Sequence, residues 1–128
     1  MAVENAEPME KLALKMMRAA QAGDMETVRD CYTADATLWL NVTGRTLKAD
    51  DHIASIKAMR GRVNNLRYED IQVKPFDGGY VQQHMVYGDL PDGGKFEVAA
   101  CFVVQVRDGK IAHREEYIDS ASIAPVLG

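Results

Sequence analysis

The stretch from Phe96 to Val106 constrains this chain more than any other, because it is apolar on both faces of a strand. One parity carries Phe96, Val98, Ala100, Phe102, Val104 and Val106, and the other carries Glu97, Ala99, Cys101, Val103 and Gln105. An antiparallel strand with one wet side alternates cleanly between apolar and polar residues. This one does not, so both faces of its sheet are expected to be covered. In a chain of 128 residues, too short for two domains, helices can cover one face and a second copy of the chain the other. The concave side is then where a small apolar ligand would sit.

The remaining pattern places helices in front of this sheet. Pro8 suits a first helical position, and Met9, Leu12, Ala13, Met16, Met17 and Ala20 form the i, i+3, i+4, i+7 stripe of an amphipathic helix. Residues 1–7 are polar and are expected to fray. Gly23 ends the first helix and Asp24 can cap a short second one carrying Met25, Val28, Cys31 and Tyr32. Thr33 to Asp35 then reads as a turn into a strand from Ala36 to Val42. A third helix begins near Asp50 or Asp51, buries Ile53, Ile56 and Met59, and stops at Gly61.

Beyond it the helical period disappears. Leu66 to Lys74 is a strand whose alternation changes phase near Asp70, the mark of a bulge. Tyr80 to Tyr87 follows, then the two-sided strand, and Asp108-Gly109 makes a tight hairpin into Lys110 to Asp119. The expected architecture is α+β, a long antiparallel meander behind a group of helices.

Composition excludes several functions. The net charge is −4 with both signs interspersed, whereas nucleic-acid binding needs a concentrated basic face. No apolar run reaches the length of a membrane span. The N-terminal residues carry charges at short intervals and lack the apolar core of a signal peptide. Cys31 and Cys101 are most simply two reduced, buried thiols, which points to a cytoplasmic setting. Three scattered histidines have no metal-ligand spacing, no Gly-rich phosphate loop occurs, and no organic cofactor is implied.

The order of elements, with particular wording inside it, resembles the SnoaL-like branch of the nuclear-transport-factor-2-like superfamily. The resemblance is carried by Ala22-Gly23-Asp24 between the first helices and by Tyr32-Thr33-Ala34-Asp35-Ala36-Thr37 entering the first strand. Asp108-Gly109-Lys110-Ile111 and Glu116-Tyr117-Ile118-Asp119 carry it at the end. It runs from about residue 10 to 119 and implies a curved sheet wrapped around helices as a cone, a ligand pocket inside, and a homodimer through the outer sheet face. Fold alone does not specify a reaction. Ketosteroid isomerases place a Tyr and two Asp at positions that look like Met16, Leu40 and about Phe102 here, all apolar, so their mechanism is not available. Limonene epoxide hydrolases place a Tyr and an Asn two apart on the first strand, matched by Trp39 and Asn41. Of their Asp-Arg-Asp set, aligned with Gln83, Met85 and Glu116, one carboxylate survives.

Within that register Ala112, Arg114, Glu116 and Ile118 point into the cone. A carboxylate in an apolar cavity has a raised pKa and becomes a usable acid or base. Glu116 is therefore the first catalytic candidate, with Arg114 favouring its ionised form; a structural ion pair at the sheet rim accounts for the same two residues. Asn41 could hold water or a substrate carbonyl, or simply begin the turn at Val42-Thr43-Gly44. Trp39 could be a pocket wall or core. Strict alternation puts Gln83, Met85 and Tyr87 in the cone and His84 outside, unless a bulge reverses this and makes His84 a proton carrier. Tyr32 could reach the pocket floor or pack the helix-to-strand corner. Met16, Val98, Ala100 and Ile118 complete the expected ligand contacts. The functional expectation is a cofactor-free acid–base enzyme performing dehydration, isomerisation or water addition on a small cyclic or aromatic molecule. The competing expectation is a non-catalytic ligand-binding or dimeric assembly module.

Overall fold

The computed structural model describes residues 6–126. Of the segment expected to fray, residues 1–5 lie outside the described residues, while Ala6 and Glu7 are already helical. Helix α1 (Ala6–Ala22) buries Met9, Ala13, Met16, Met17, Ala19 and Ala20, the stripe that its spacing demands. Gly23, at φ +79°, turns the chain. Asp24 caps α2 (Met25–Asp30), accepting from the Thr27 amide at 3.1 Å and the Thr27 hydroxyl at 2.6 Å, which satisfies donors that the first helical turn leaves open.

Strand β1 spans Tyr32–Leu40, starting earlier and ending earlier than Ala36 to Val42. The turn-forming residues Thr33 to Asp35 are absorbed as an irregularity, because pairing with the last strand breaks between Tyr32 and Thr37. Asp35 is held there by the Thr33 hydroxyl at 2.8 Å and by an ion pair with Arg107. A short β2 (Arg45–Lys48) folds back on β1 before α3 (Ala49–Arg62), which buries Ile53 and Ile56.

The long strands β3 (Asn64–Phe76), β4 (Gly79–Asp89), β5 (Lys95–Arg107) and β6 (Lys110–Ile118) form the meander. β3 carries the phase change anticipated near Asp70: that residue has φ +56° and the register shifts between Glu69 and Gln72. Asp108 and Gly109, at φ +54° and +75°, make the two-residue turn whose twist matches antiparallel strands. The sheet order is β2-β1-β6-β5-β4-β3, antiparallel throughout except where β1 lies parallel to β6. Asp119 caps a closing helix, α4 (Ser120–Ile123), whose last residue, Ile123, is buried.

Phe96, Val98, Ala100, Phe102 and Val104 of β5 are buried, whereas Ala99 is exposed and Cys101 and Val103 are half-buried. The chain's own described elements thus cover one face of its two-sided strand. The core is in two parts. The larger joins α1, α2 and the inner faces of β1, β5 and β6; the smaller gathers Val63, Leu66, Val86, Phe96, Val98 and Ile123, with Tyr68 and Ile118 touching both. The candidate site lies where these two clusters meet.

Candidate active site

A cavity of about 280 Å³ opens between α1, α3 and the inner face of the sheet. Its walls are apolar for the most part, including Met16, Leu40, Ile56, Phe102 and Ile118. Its chemistry-bearing members are His52 and Arg62 from α3, Tyr68 from β3, His84 from β4, and Arg114 and Glu116 from β6.

Arg114 and Glu116 share the inner parity of β6, and their nearest charged atoms are 3.9 Å apart. The Arg114 side chain is 5% exposed and that of Glu116 19%. Burial pushes the Glu116 carboxyl above the ordinary carboxylate range, with Arg114 pulling the other way. Arg114 also lies over an aromatic face, its Cζ 4.1 Å from the centre of the Phe102 ring.

His52 fixes the guanidinium. Arg114 Nη2 stands 2.9 Å from His52 Nε2, and because arginine only donates, that nitrogen accepts. The proton of His52 therefore resides on Nδ1, which faces the Tyr32 hydroxyl at 3.5 Å. Burial first, and the neighbouring Arg114 second, hold His52 well below the usual histidine range, consistent with a neutral ring.

His84 is 4% exposed. Its ring packs edge-on against Tyr68 and Phe102, at 5.7 and 4.8 Å between centres. Gln82 Nε2 lies 3.0 Å from His84 Nδ1; with the amide so oriented Nδ1 accepts, and the imidazole proton sits on Nε2. Burial, with Arg114 adding to it, lowers His84 to about 4. Burial likewise raises the Tyr68 phenol to about 12. Among the described residues, two buried side-chain polar atoms have no hydrogen-bond partner, His84 Nε2 and Arg114 Nε.

Of the residues singled out by sequence, Glu116, Arg114, His84, Met16, Val98, Ala100 and Ile118 come together around this cavity. The register of β4 corrects the alternation argument. His84 pairs with Ala100 and Val86 with Val98, and directly paired residues share a sheet face. The inner set is thus Tyr80, Gln82, His84 and Val86, while Gln83, Met85 and Tyr87 lie on the outer face. Apolar Met85 and Tyr87 suggested the opposite because Gln82 and His84 are polar yet buried, each supplying the other's hydrogen bond. Pairing of Asp89 with Lys95 across the Pro91-Asp92-Gly93-Gly94 turn sets this parity and was the signal available.

Asn41 does not line the cavity. Its amide is exposed and clamps the Ile118 backbone, donating to the carbonyl and accepting from the N–H, each at 3.0 Å. Trp39 contributes to the lining, but it pairs with Glu115 across β1 and β6 and its ring packs 5.4 Å from Tyr117. Tyr32 is buried behind His52 rather than at the lining. His52 itself went unselected by sequence reasoning. Its position four residues before Ile56 and seven before Met59 was the trace it left, since that spacing shares a helix face. Ile123 went unseen as well; the Asp119 cap was its signal. Among the described residues no group of three or more His, Cys, Asp or Glu side chains is placed to hold a metal ion, and no helix is long and apolar enough to cross a membrane.

The arrangement joins a basic carboxylate to hydrogen-bond donors at one end of an apolar chamber, which suits proton transfer beside a polarised oxygen. Sequence comparison with curated proteins finds no match. Among solved structures, the chain is similar to wild-type IdmH, a proposed polyketide cyclase from Streptomyces antibioticus, with TM-score 0.82 and 19% identity over 94% of this chain and 98% of that one. A proposed polyketide cyclase from Xanthomonas campestris pv. campestris aligns with TM-score 0.82 and 20% identity, over 96% and 99% of the two chains. A protein with a ketosteroid isomerase-like fold from Catenulispora acidiphila, in complex with trimethylamine, aligns with TM-score 0.77 and 14% identity, over 90% and 91%. At these identities the likeness establishes the cone-shaped α+β fold. Residues 13–114 match the SnoaL-like domain, most of the chain, and the protein belongs to that family.

Proposed function

We propose that this protein is a cofactor-free acid–base enzyme that moves a proton next to the carbonyl of a small, cyclic, largely apolar molecule, in an isomerisation or a ring closure. The observation that carries this reading is the placement of Glu116 beside Arg114 and His84 at one end of an otherwise apolar cavity. Glu116 takes a proton from carbon: the C–H bond breaks, an O–H bond forms on the carboxyl, and the electron pair passes to the carbonyl oxygen. Return of the proton to a different carbon completes an isomerisation; attack of the enolate carbon on a second carbonyl of the same molecule forms the C–C bond of a ring, the C=O π pair passing to that oxygen, which takes the proton from Glu116. Burial supports the role by bringing the carboxyl nearer to the pH at which a base works best. The similarity to proposed cyclases and to a proposed isomerase of Bacillus subtilis supports the reaction class.

The size of the chamber suggests the test. A dry apolar cavity of about 150 Å³ accepts benzene, so about 280 Å³ suits two fused rings. Deuterium exchange into the α-carbon of 2-tetralone, followed by NMR, is expected to be catalysed by the wild type. Glu116→Gln is expected to slow it by roughly 10²–10⁴-fold, the usual contribution of one acid–base group. Binding of 2-tetralone with exchange no faster than in buffer would favour the carrier reading instead.

A further inference from the structure

One guanidinium nitrogen has two neighbours that compete for it. Arg114 Nη2 stands 2.9 Å from His52 Nε2 and 3.9 Å from Glu116 Oε1. The first contact is a hydrogen bond; the second is too long for one. An arginine beside a carboxylate in a buried site ordinarily closes on it, with bonds of about 2.7–2.9 Å. Here Arg114 is buried and Glu116 mostly so, and water does little to screen their attraction. The guanidinium stays back because it is held elsewhere, its end on the His52 nitrogen and its face over the Phe102 ring. His52 can hold it only as a neutral ring with the lone pair of Nε2 free. Burial, with the charge of Arg114 adding to it, keeps the ring neutral, and the Tyr32 hydroxyl faces Nδ1, where the proton then resides.

We propose that His52 is a positioning residue: by accepting a hydrogen bond from Arg114 Nη2 it keeps the guanidinium off the Glu116 carboxylate, which is thereby left able to take a proton from the substrate. This rests on the reading of Glu116 as the base and names the residue that keeps it one. The titratable and charged groups that line the cavity with Glu116 are Arg114 on its own strand, His52 and Arg62 of α3, Tyr68 of β3 and His84 of β4. Tyr32 of β1 stands behind His52, and α1 and β5 present apolar side chains. Both histidines are held below their usual range and both phenols above theirs, so at pH 7 all four are neutral. Arg114 is the cation that pulls the carboxyl down against burial, and its distance sets how readily Glu116 takes a proton. With no acceptor at position 52, closure to hydrogen-bond distance would strengthen the ion pair, stabilise the ionised carboxylate and weaken it as a base. His52 thus acts through Arg114 and not on the reacting atoms.

Carbon-13 NMR of protein labelled at the glutamate side-chain carboxyls follows Glu116 directly, its signal identified by its loss in Glu116→Gln. His52→Phe keeps a ring of similar size and removes the acceptor. In that variant the Glu116 carboxyl is expected to titrate about 1 pH unit or more below its wild-type position. In His52→Gln the amide oxygen can take the place of Nε2 as acceptor, and the carboxyl is expected to titrate as in the wild type. A carboxyl that stays in place or rises in folded His52→Phe, or that falls as far in His52→Gln, would overturn the proposal. The wild type supplies a check that needs no substitution. Nitrogen-15 spectra of its histidine rings should show His52 neutral at pH 7 with the proton on Nδ1; a proton on Nε2 at that pH would overturn the proposal even if neither variant folds. In 2-tetralone exchange, the acid limb of kcat/KM should move with the carboxyl in His52→Phe, with kcat reduced more than KM is raised. Titration and turnover separate the two readings. A carboxyl that moves as expected in a protein without exchange supports the positioning and sinks the enzyme reading, whereas exchange with an unmoved carboxyl sinks the positioning alone.

Discussion

Acid should destabilise this protein through His84 by an amount that can be worked out in advance. The ring is 4% exposed and held at about 4 in the folded chain, against about 6.5 when unfolded. A lowered folded value means that the unfolded chain takes up the proton first. Stability is therefore full above pH 6.5 and drains as the pH falls through 6.5 towards 4. Linkage between these two values gives a loss of about 2 kcal/mol between pH 7.5 and pH 5 from this group. Nearly all of it reflects proton uptake by the unfolded chain, so it depends only weakly on how deep the native value lies. His52 acts with the same sign but is present in wild type and variant alike. Urea unfolding of wild type and His84→Gln at both pH values isolates His84: the wild type should lose about 2 kcal/mol more than the variant. A difference below about 0.5 kcal/mol would show that the imidazole is solvated in the native state, and would refute both the register of β4 and the donor assigned to the cavity.

A Cβ added at Gly79 would stand 1.9 Å from the Val104 carbonyl oxygen and 2.9 Å from the Phe76 ring. Gly79→Ala should therefore cost about 1–3 kcal/mol or more, read as a lower urea midpoint at unchanged slope; an unaltered midpoint would contradict the close approach of β4 and β5. The proposed pairing of two copies through the outer sheet face predicts a wild-type dimer in sedimentation velocity. Val103→Glu, half-buried in the single chain, should then give monomers or insoluble protein, because a paired interface would bury an uncompensated carboxylate. A monomeric wild type, or a variant that dimerises as well as the wild type, would remove that proposal.

The sequence by itself determined the local elements and the fold they build. Periodicity placed α1, α3 and the four long strands, Gly23 with Asp24 separated the first helices, and the phase change at Asp70 located a bulge, because these signals are set by neighbours a few residues away. The inward parity of β6, and with it Arg114 and Glu116, came from the resemblance to the SnoaL-like family and not from the hairpin before it, because the pairing of β5 with β6 shifts register between Gln105 and Val106. What tertiary structure alone decided was which polar groups satisfy one another. Strict alternation put His84 outside the cone until its pairing with Ala100 of β5 showed that it shares the inner face. Asn41 looked free until Ile118, 77 residues away, took both ends of its amide. His52 carried no local sign of its contact with Arg114, which lies 62 residues on. Apolar burial follows a repeat that any short window displays, whereas a buried hydrogen bond depends on a partner brought close only by the closed cone. That is why Met16, Val98, Ala100 and Ile118 were legible in the sequence as walls of this cavity, while the hydrogen bonds that join His52 to Arg114 and Gln82 to His84 were not.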